Sequence, residues 1–127
     1  MKVVFIGDVV GKIGRDAVID KISLLKSKFN PEVIICNAEN AASGYGLTKK
    51  IALELFEKGI NVITLGNHAW DQREMLSYIE EQPRIIRAMN YPSGVPGKGE
   101  YKVILEDGRS IIVMQIMLRI FMSISLD

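Results

Sequence analysis

The feature that most constrains this chain is a regular alternation of short apolar runs and longer amphipathic segments. Runs rich in β-branched side chains predict three buried strands, at residues 3–6, 33–36 and 61–65. Apolar residues at helical spacing predict three helices, at residues 15–29, 48–59 and 71–80. This order is typical of βαβ units on a parallel sheet, whose strands are covered on both faces. We therefore expect an α/β fold with a parallel-rich sheet and flanking helices.

The predicted helices have an identifiable inward face and identifiable ends. Thr48 is the expected N-cap of the second helix and Gly59 its C-terminal glycine. The side chains expected on the packed faces are Val18, Ile22, Leu25 and Phe29 in the first helix, Ile51, Leu55 and Lys58 in the second, and Met75, Leu76 and Ile79 in the third.

After Pro83 the pattern changes. Ile85 and Ile86 predict a short strand, and residues 90–99 predict a loop because they contain three glycines and two prolines. Residues 101–105 and 110–114 flank an Asp-Gly pair, which predicts a C-terminal β-hairpin. With 127 residues in total, we expect residues 1–127 to form a single domain, or part of one.

The composition indicates which binding partners and which cellular compartment to expect. The formal net charge of +1 gives no basic excess that would attract nucleic acid, so sequence-specific nucleic-acid binding is not expected. A single cysteine favours a reducing, cytoplasmic compartment. No targeting segment is visible. The most apolar stretch, residues 111–126, is interrupted by Gln115 and Arg119 and is too short for a membrane span, so we expect a buried strand followed by an apolar tail.

Polar side chains follow all three predicted strands at the point where each strand ends. Asp8 follows the first strand, residues 37–40 follow the second, and residues 66–68 follow the third. Ligands of open parallel sheets bind beyond the carboxyl ends of the strands, so Asp8, Glu39 and Asn67 are expected at one edge. Crowded carboxylates repel each other unless a cation lies between them, and these donor atoms suit Mg, Mn, Fe or Zn. His68 would then be placed to protonate a leaving oxygen.

Three sequence blocks resemble the bacterial YmdB-like metallophosphoesterase family: GDVVGKIGR at residues 7–15, NAENAASGYGLT at 37–48, and LGNHAWDQRE at 65–74. The resemblance covers residues 1 to about 114 and implies the N-terminal half of a four-layer metallophosphoesterase sandwich. It also implies a phosphodiesterase with two divalent ions (Fe, Mn or Mg) that acts on cyclic nucleotides, including 2′,3′-cyclic ones. The residues that match the family's metal ligands are Asp8, Glu39, Asn40 and Asn67, with Glu39 bridging, and His68 matches its proton donor.

The chain departs from the family's pattern in two ways. General metallophosphoesterases open with Asp-x-His, and Val10 occupies the histidine position here. The family is also longer and takes further metal-binding histidines from its C-terminal half, whereas this chain contains one histidine. We therefore expect a truncated form or fragment that binds metal poorly and turns over slowly or not at all. An apolar sheet face left open by the absent half predicts self-association into a homo-oligomer or poor solubility.

Two alternative functions stay open at this point. A nucleotide-binding Rossmann-like module would bind NAD or ATP without metal, although the glycines at 7 and 11 have the wrong spacing for a phosphate loop and Ile13 follows Lys12. A catalytically inactive remnant would have only a structural or interaction role and would hold well below one metal per chain. Tyr45 either lines the pocket or belongs to a flexible loop, Trp70 is expected to pack beside the site, and Cys36 is expected to be an inert core residue.

Overall fold

The structure, a computed structural model, describes residues 1–118. Its elements in chain order are β1 (Val3–Ile6), α1 (Gly11–Phe29), β2 (Val33–Asn37), α2 (Lys49–Glu57), β3 (Val62–Thr64), α3 (Met75–Glu81), β4 (Ile85–Ile86), β5 (Glu100–Ile104) and β6 (Ser110–Met114). Strands β1 to β4 form a parallel sheet in sequential order, and β5 and β6 form an antiparallel hairpin. The predicted α/β class, the parallel-rich sheet and the C-terminal hairpin are confirmed.

The three helices pack on one face of the sheet and the hairpin packs on the other. The helical side contains Ile34, Cys36, Ile63 and Ile85 of the sheet together with Val18 and Ile22 of α1, Ile51 and Leu55 of α2, and Met75 and Ile79 of α3. The hairpin side contains Val33, Ile35, Val62, Ile86 and Val113. Sequential strand order explains this, because right-handed crossovers between neighbouring parallel strands place every helix on the same side.

The edge strand β1 is less buried than its apolar sequence predicts. Its side chains alternate between exposed and half-buried, and Phe5 is 60% exposed. The hairpin cluster contacts β2, β3 and β4 and includes no residue of β1. The expectation that the strands are covered on both faces is therefore wrong for β1.

The hairpin is also apolar on its outer face. Ile104, Ile112 and Met114 are each more than half exposed, so the expectation of a buried strand near the C-terminus is wrong for β6, in which only Val113 is buried. The apolar tail predicted after it, residues 120–126, lies outside the described residues. Ile104, Ile112 and Met114 thus leave apolar surface open on the outer face of the hairpin, and self-association stays a prediction.

Helix α1 begins four residues earlier than predicted. Gly14 N–H donates to the Val10 carbonyl at 3.1 Å and closes the first helical turn. A Cβ on Gly14 would lie 3.3 Å from Val9 Cγ1, so the glycine lets this turn pack against a buried valine. On the inward face only Val18 and Ile22 are buried, whereas Leu25 is half-buried and Phe29 is exposed.

Helix α3 begins four residues later than predicted, and the side chains of the preceding turn are engaged in contacts outside α3. Asp71 binds His68, Gln72 donates to the Tyr45 carbonyl, and Glu74 accepts from the backbone N–H of Lys49. The buried side chains of α3 are Met75, Tyr78 and Ile79, and Leu76 is 46% exposed rather than inward.

The predicted ends of α2 are confirmed. The Thr48 hydroxyl accepts a hydrogen bond from Ile51 N–H at 3.2 Å, as an N-cap does. Gly59 follows the helix with φ +95°, a conformation that favours glycine. Lys26 Nζ donates to the Lys58 carbonyl at 2.7 Å and thereby joins the end of α2 to α1.

Cys36 is an inert core residue, as expected. Cys36 is fully buried in β2, and burial raises the pKa of its thiol to about 12, so it stays neutral. Within residues 1–118, the helices are all too short or too polar to cross a membrane.

Candidate functional site

The loops that follow β1, β2 and β3 are brought together by continued backbone pairing. The hydrogen bonds of the sheet extend past the strand ends: Val9 N–H to the Asn37 carbonyl at 3.0 Å, Ala38 N–H to Thr64 at 3.2 Å, and Leu65 N–H to Ile86 at 2.8 Å. The polar residues just beyond these pairs therefore lie at the same height on the carboxyl edge of the sheet.

Asp8 and Asn40 form a direct contact between the first two of these loops. Asn40 Nδ2 donates to Asp8 Oδ1 at 2.7 Å, and Gly11 N–H donates to the Asn40 carbonyl at 2.9 Å. Asp8 has φ +47°, a left-handed conformation that few non-glycine residues adopt. Among the described residues, Asp8 Oδ2 and Asn40 Oδ1 accept no hydrogen bond. Both oxygens therefore remain available as metal ligands.

Glu39 connects this pair to the loop after β3. Its carboxylate lies against the backbone of Gly66: a Cβ added there would be 2.6 Å from Glu39 Oε1. The backbone N–H of His68 donates to Glu39 Oε2 at 3.3 Å. Glu39 is half-buried and forms no ion pair with another described residue. The missing Cβ of Gly66 and the hydrogen bond from His68 thus allow the Glu39 carboxylate to lie at this edge.

Asn67 and His68 lie in the turn that follows. The Asn67 side chain is exposed and makes no hydrogen bond within the described part of the chain, so only its position in the turn, between Gly66 and His68, places it beside Glu39. His68 Nδ1 lies 2.6 Å from Asp71 Oδ2 and its side chain is 31% exposed. Since Nδ1 is engaged by Asp71, Nε2 is the ring nitrogen left to act on a ligand.

Tyr91 reaches the site from the loop between β4 and β5, and nothing in the sequence indicated it. Its hydroxyl donates to the Gly66 carbonyl at 3.2 Å, and its ring meets Trp70 edge-on at 6.0 Å. Burial raises the pKa of Tyr91, and the negative charges of Glu39 and Asp71 raise it further. The hydroxyl therefore stays protonated and fixes the turn that carries Asn67 and His68. Trp70 is half-buried beside the site, in agreement with the expected packing role.

The loop after β2 closes over the same turn. Gly46 N–H donates to the Glu39 carbonyl at 2.7 Å, and Gln72 Nε2 donates to the Tyr45 carbonyl at 2.7 Å. A Cβ on Gly46 would lie 3.1 Å from the His68 carbonyl oxygen, so this close approach requires a glycine. The Tyr45 ring meets the His68 imidazole edge-on, with 5.7 Å between ring centroids.

The donor set at this edge fits a hard divalent cation. It consists of two carboxylates without a cationic partner and two amide side chains, and carboxylate and amide oxygens suit Mg, Mn and similar ions. Within residues 1–118, no three acidic, histidine or cysteine side chains converge. The structure therefore pairs Asp8 with Asn40 and, separately, places the Glu39 carboxylate against the turn that carries Asn67 and His68, with amide groups supplementing only two carboxylates.

Comparison with known proteins identifies similar sequences. Residues 4–127 match the family model described as YmdB-like protein. The chain is 43% identical over 122 residues to a 2′,3′-cyclic-nucleotide 2′-phosphodiesterase of Bacillus subtilis, a match that covers 96% of this chain and 46% of that protein. It is 39% identical over 105 residues to a putative phosphatase/phosphodiesterase of Mycoplasma genitalium, covering 80% of this chain and 37% of that protein.

Two solved structures are also similar. A hypothetical protein from Thermus thermophilus superposes with a TM-score of 0.89 at 39% identity, covering all of this chain and 48% of the other. A novel phosphatase from Mycoplasma pneumoniae superposes with a TM-score of 0.83 at 32% identity, covering 91% of this chain and 42% of the other. The chain thus spans less than half the length of each of these relatives.

Proposed function

Because this chain belongs to the YmdB-like family, we propose that it carries part of a metal-dependent phosphodiesterase site that hydrolyses 2′,3′-cyclic nucleotides. The observation that supports this most strongly is that two contacts, Asn40 with Asp8 and His68 with Glu39, join neighbouring loops at the edge where parallel sheets bind ligands. The activity for which the Bacillus subtilis relative is named supports the choice of substrate.

Four side chains are proposed to hold the cations: Asp8, Glu39, Asn40 and Asn67. Glu39 is proposed as the bridging ligand because it directly precedes Asn40, the partner of Asp8, in the chain and its carboxylate accepts from the His68 backbone in the turn that carries Asn67. When bound, divalent ions at such a site supply a Lewis acid for the phosphoryl group and activate water. The roles of these residues and the identity of the ions, Fe, Mn or Mg, are part of the proposal.

His68 is proposed to protonate the ribose oxygen that leaves when the phosphodiester bond breaks. Its Nε2 is the ring nitrogen left to act on the substrate because Nδ1 is engaged by Asp71, and this contact holds the ring orientation that a general acid requires. Asp71 is a positioning residue in this scheme, and Tyr91 holds the Gly66 carbonyl in the same turn.

The described residues supply a minimal ligand set. Two ions with four or more protein ligands each need more donors than two carboxylates, two amides and one histidine provide. We therefore propose that the 127-residue chain alone binds metal weakly, fills its coordination with water and hydrolyses substrate slowly.

Metal titration tests the proposal directly. Mn²⁺ binding to the purified chain, followed by calorimetry, is expected to weaken about tenfold in Asp8→Asn, because a ligand carboxylate is lost. The control Asp16→Asn is expected to bind as the wild type, because Asp16 pairs with Lys12 on the exposed face of α1. Hydrolysis of adenosine 2′,3′-cyclic phosphate is expected to be slow, to stop with EDTA and to return with Mn²⁺.

Three other results would contradict the proposal. Equal Mn²⁺ affinity in both variants would place the metal elsewhere. Nucleotide binding that is unaffected by EDTA, with no hydrolysis, would favour the metal-free nucleotide-binding module. A metal content well below one ion per chain under saturating Mn²⁺ would favour the inactive remnant.

A further inference from the structure

Tyr45 is an exposed aromatic side chain beside the candidate active site. It is 64% exposed, although it lies in a loop whose neighbours Gly46 and Leu47 are buried. The structural role of the loop is fulfilled by its backbone, so the open ring contributes little to the core. Exposed aromatic rings next to a ligand site offer a flat apolar surface at low cost in conformational entropy.

The loop that carries Tyr45 is held in place by its own hydrogen bonds. The bonds within it are Gly44 N–H to the Asn40 carbonyl at 2.9 Å, Tyr45 N–H to Ala42 at 3.0 Å, Ala42 N–H to Gly46 at 2.9 Å and Gly46 N–H to Glu39 at 2.7 Å. The Tyr45 carbonyl in turn accepts from Gln72 Nε2. The ring is thus presented by a tied loop that reaches both Glu39 and the His68 turn.

The ring is also at the right place for one part of the substrate. Its centroid lies 5.7 Å from that of the His68 imidazole, with an angle of 87° between the ring planes. In a 2′,3′-cyclic nucleotide, the phosphate and the base are attached to the same ribose, so the base lies one sugar ring away from the reacting phosphorus. A phosphate held next to His68 would therefore bring the base to the neighbourhood of Tyr45.

We propose that Tyr45 is a stacking platform for the nucleobase of the substrate. This inference rests on the proposed function for the location of the phosphate. Stacking on an aromatic side chain accepts every base because each base has a π-face, so the platform favours nucleotides over base-free phosphodiesters without selecting one base. It assigns a base-binding role to a residue that holds no metal and transfers no proton.

The test compares two ligands in saturating Mg²⁺, over a time in which the slow hydrolysis leaves them intact: adenosine 2′,3′-cyclic phosphate and a methyl riboside 2′,3′-cyclic phosphate that has no base. Binding is followed by NMR through the imidazole signals of His68, the single histidine of the chain. The nucleotide is expected to bind wild-type protein about tenfold more tightly than the base-free ligand. Tyr45→Ala is expected to remove this preference, and Tyr45→Phe to keep it because the phenyl face remains.

Phe29→Ala is the matched control, because Phe29 is an exposed aromatic at the far end of α1, about 27 Å along the helix from Gly11. It should keep the full preference. Equal binding of both ligands to the wild type, or a preference that survives Tyr45→Ala, would overturn the inference. A separate assay measures hydrolysis of both ligands with and without Mn²⁺. It reports on the proposed function alone, because metal-dependent hydrolysis of either ligand does not depend on base stacking.

Discussion

Replacing Gly66 with alanine is expected to weaken Mn²⁺ binding by about ten- to a hundredfold while leaving the thermal unfolding of the chain nearly unchanged. The new Cβ would lie 2.6 Å from Glu39 Oε1, so the carboxylate must leave its position over the backbone. The backbone itself tolerates alanine, because φ at Gly66 is not in the left-handed region. Calorimetric titration gives the affinity, and circular dichroism gives the unfolding temperature.

Gly7 provides the matched control for this substitution. It lies at the same edge of the sheet, its φ is not in the left-handed region, and a Cβ on it would meet only Phe5 Cε1 at an ordinary 3.6 Å. Gly7→Ala should therefore bind Mn²⁺ as the wild type does. Loss of binding in Gly7→Ala, or full binding in Gly66→Ala, would show that the position of the Glu39 carboxylate does not control the site.

A double-mutant cycle tests whether Gly66 acts through Glu39. Glu39→Ala removes the carboxylate that the new methyl group displaces, so Gly66→Ala should have no further effect in that background. Additive losses in the double variant would mean that Gly66 affects the site by another route, such as its carbonyl contact with Tyr91.

Truncating Ile63 to alanine is expected to destabilise the chain by about 2–5 kcal/mol, a large share of the roughly 5–15 kcal/mol that such domains have. Ile63 is fully buried in β3, where it packs on the helical side of the sheet between β2 and β4. The cavity left there cannot collapse easily, because strands lie on both sides of Ile63 and helices cover it. Urea unfolding followed by circular dichroism measures the change in the free energy of unfolding.

Ile13 gives the comparison for this loss. It is 86% exposed in the first turn of α1, so Ile13→Ala should change stability by less than about 0.5 kcal/mol. Similar losses of unfolding free energy in Ile63→Ala and Ile13→Ala would contradict the described core, because a buried and an exposed isoleucine would then contribute equally to stability.

The sequence predicted the sheet well because local signals and tertiary packing agree there. The four parallel strands are short runs rich in β-branched residues. The residues at their ends favour turns, so no other secondary structure is predicted there. The helix starts were less predictable. Gly14 is typical of a loop but packs against Val9, and residues 71–74 have a helical pattern but use their side chains for loop contacts.

The exposure of the outer elements could not be predicted from composition. Phe5 and Val33 have similar apolar surroundings in sequence, yet Phe5 is exposed because β1 is an edge strand that the hairpin does not reach. Pairing between segments that are distant in the sequence decides which strand lies at the edge. A local sequence pattern cannot predict this pairing.

Part of the site followed from strand order, and part depended on close contacts. Asp8, Glu39 and Asn67 could be placed at one edge because each follows a strand of the same parallel sheet. Gly66 and Tyr91 carry no such signal: the importance of Gly66 lies in the missing Cβ beneath Glu39, and Tyr91 arrives from a loop rich in glycine and proline. Asp71 and His68 are three residues apart, a spacing that also suits an ordinary turn.

Paramagnetic broadening by Mn²⁺ tests the central claim most directly, because it locates the bound cation. At low Mn²⁺ concentration, the NMR signals of the His68 imidazole and of the Asp8 and Asn40 amides are expected to broaden first. The acidic group at the opposite edge, Glu32 and Asp107, should be unaffected, because Arg109 already pairs with both carboxylates. Broadening that begins at Glu32 and Asp107 and spares His68 would contradict a cation site at the carboxyl edge of the sheet.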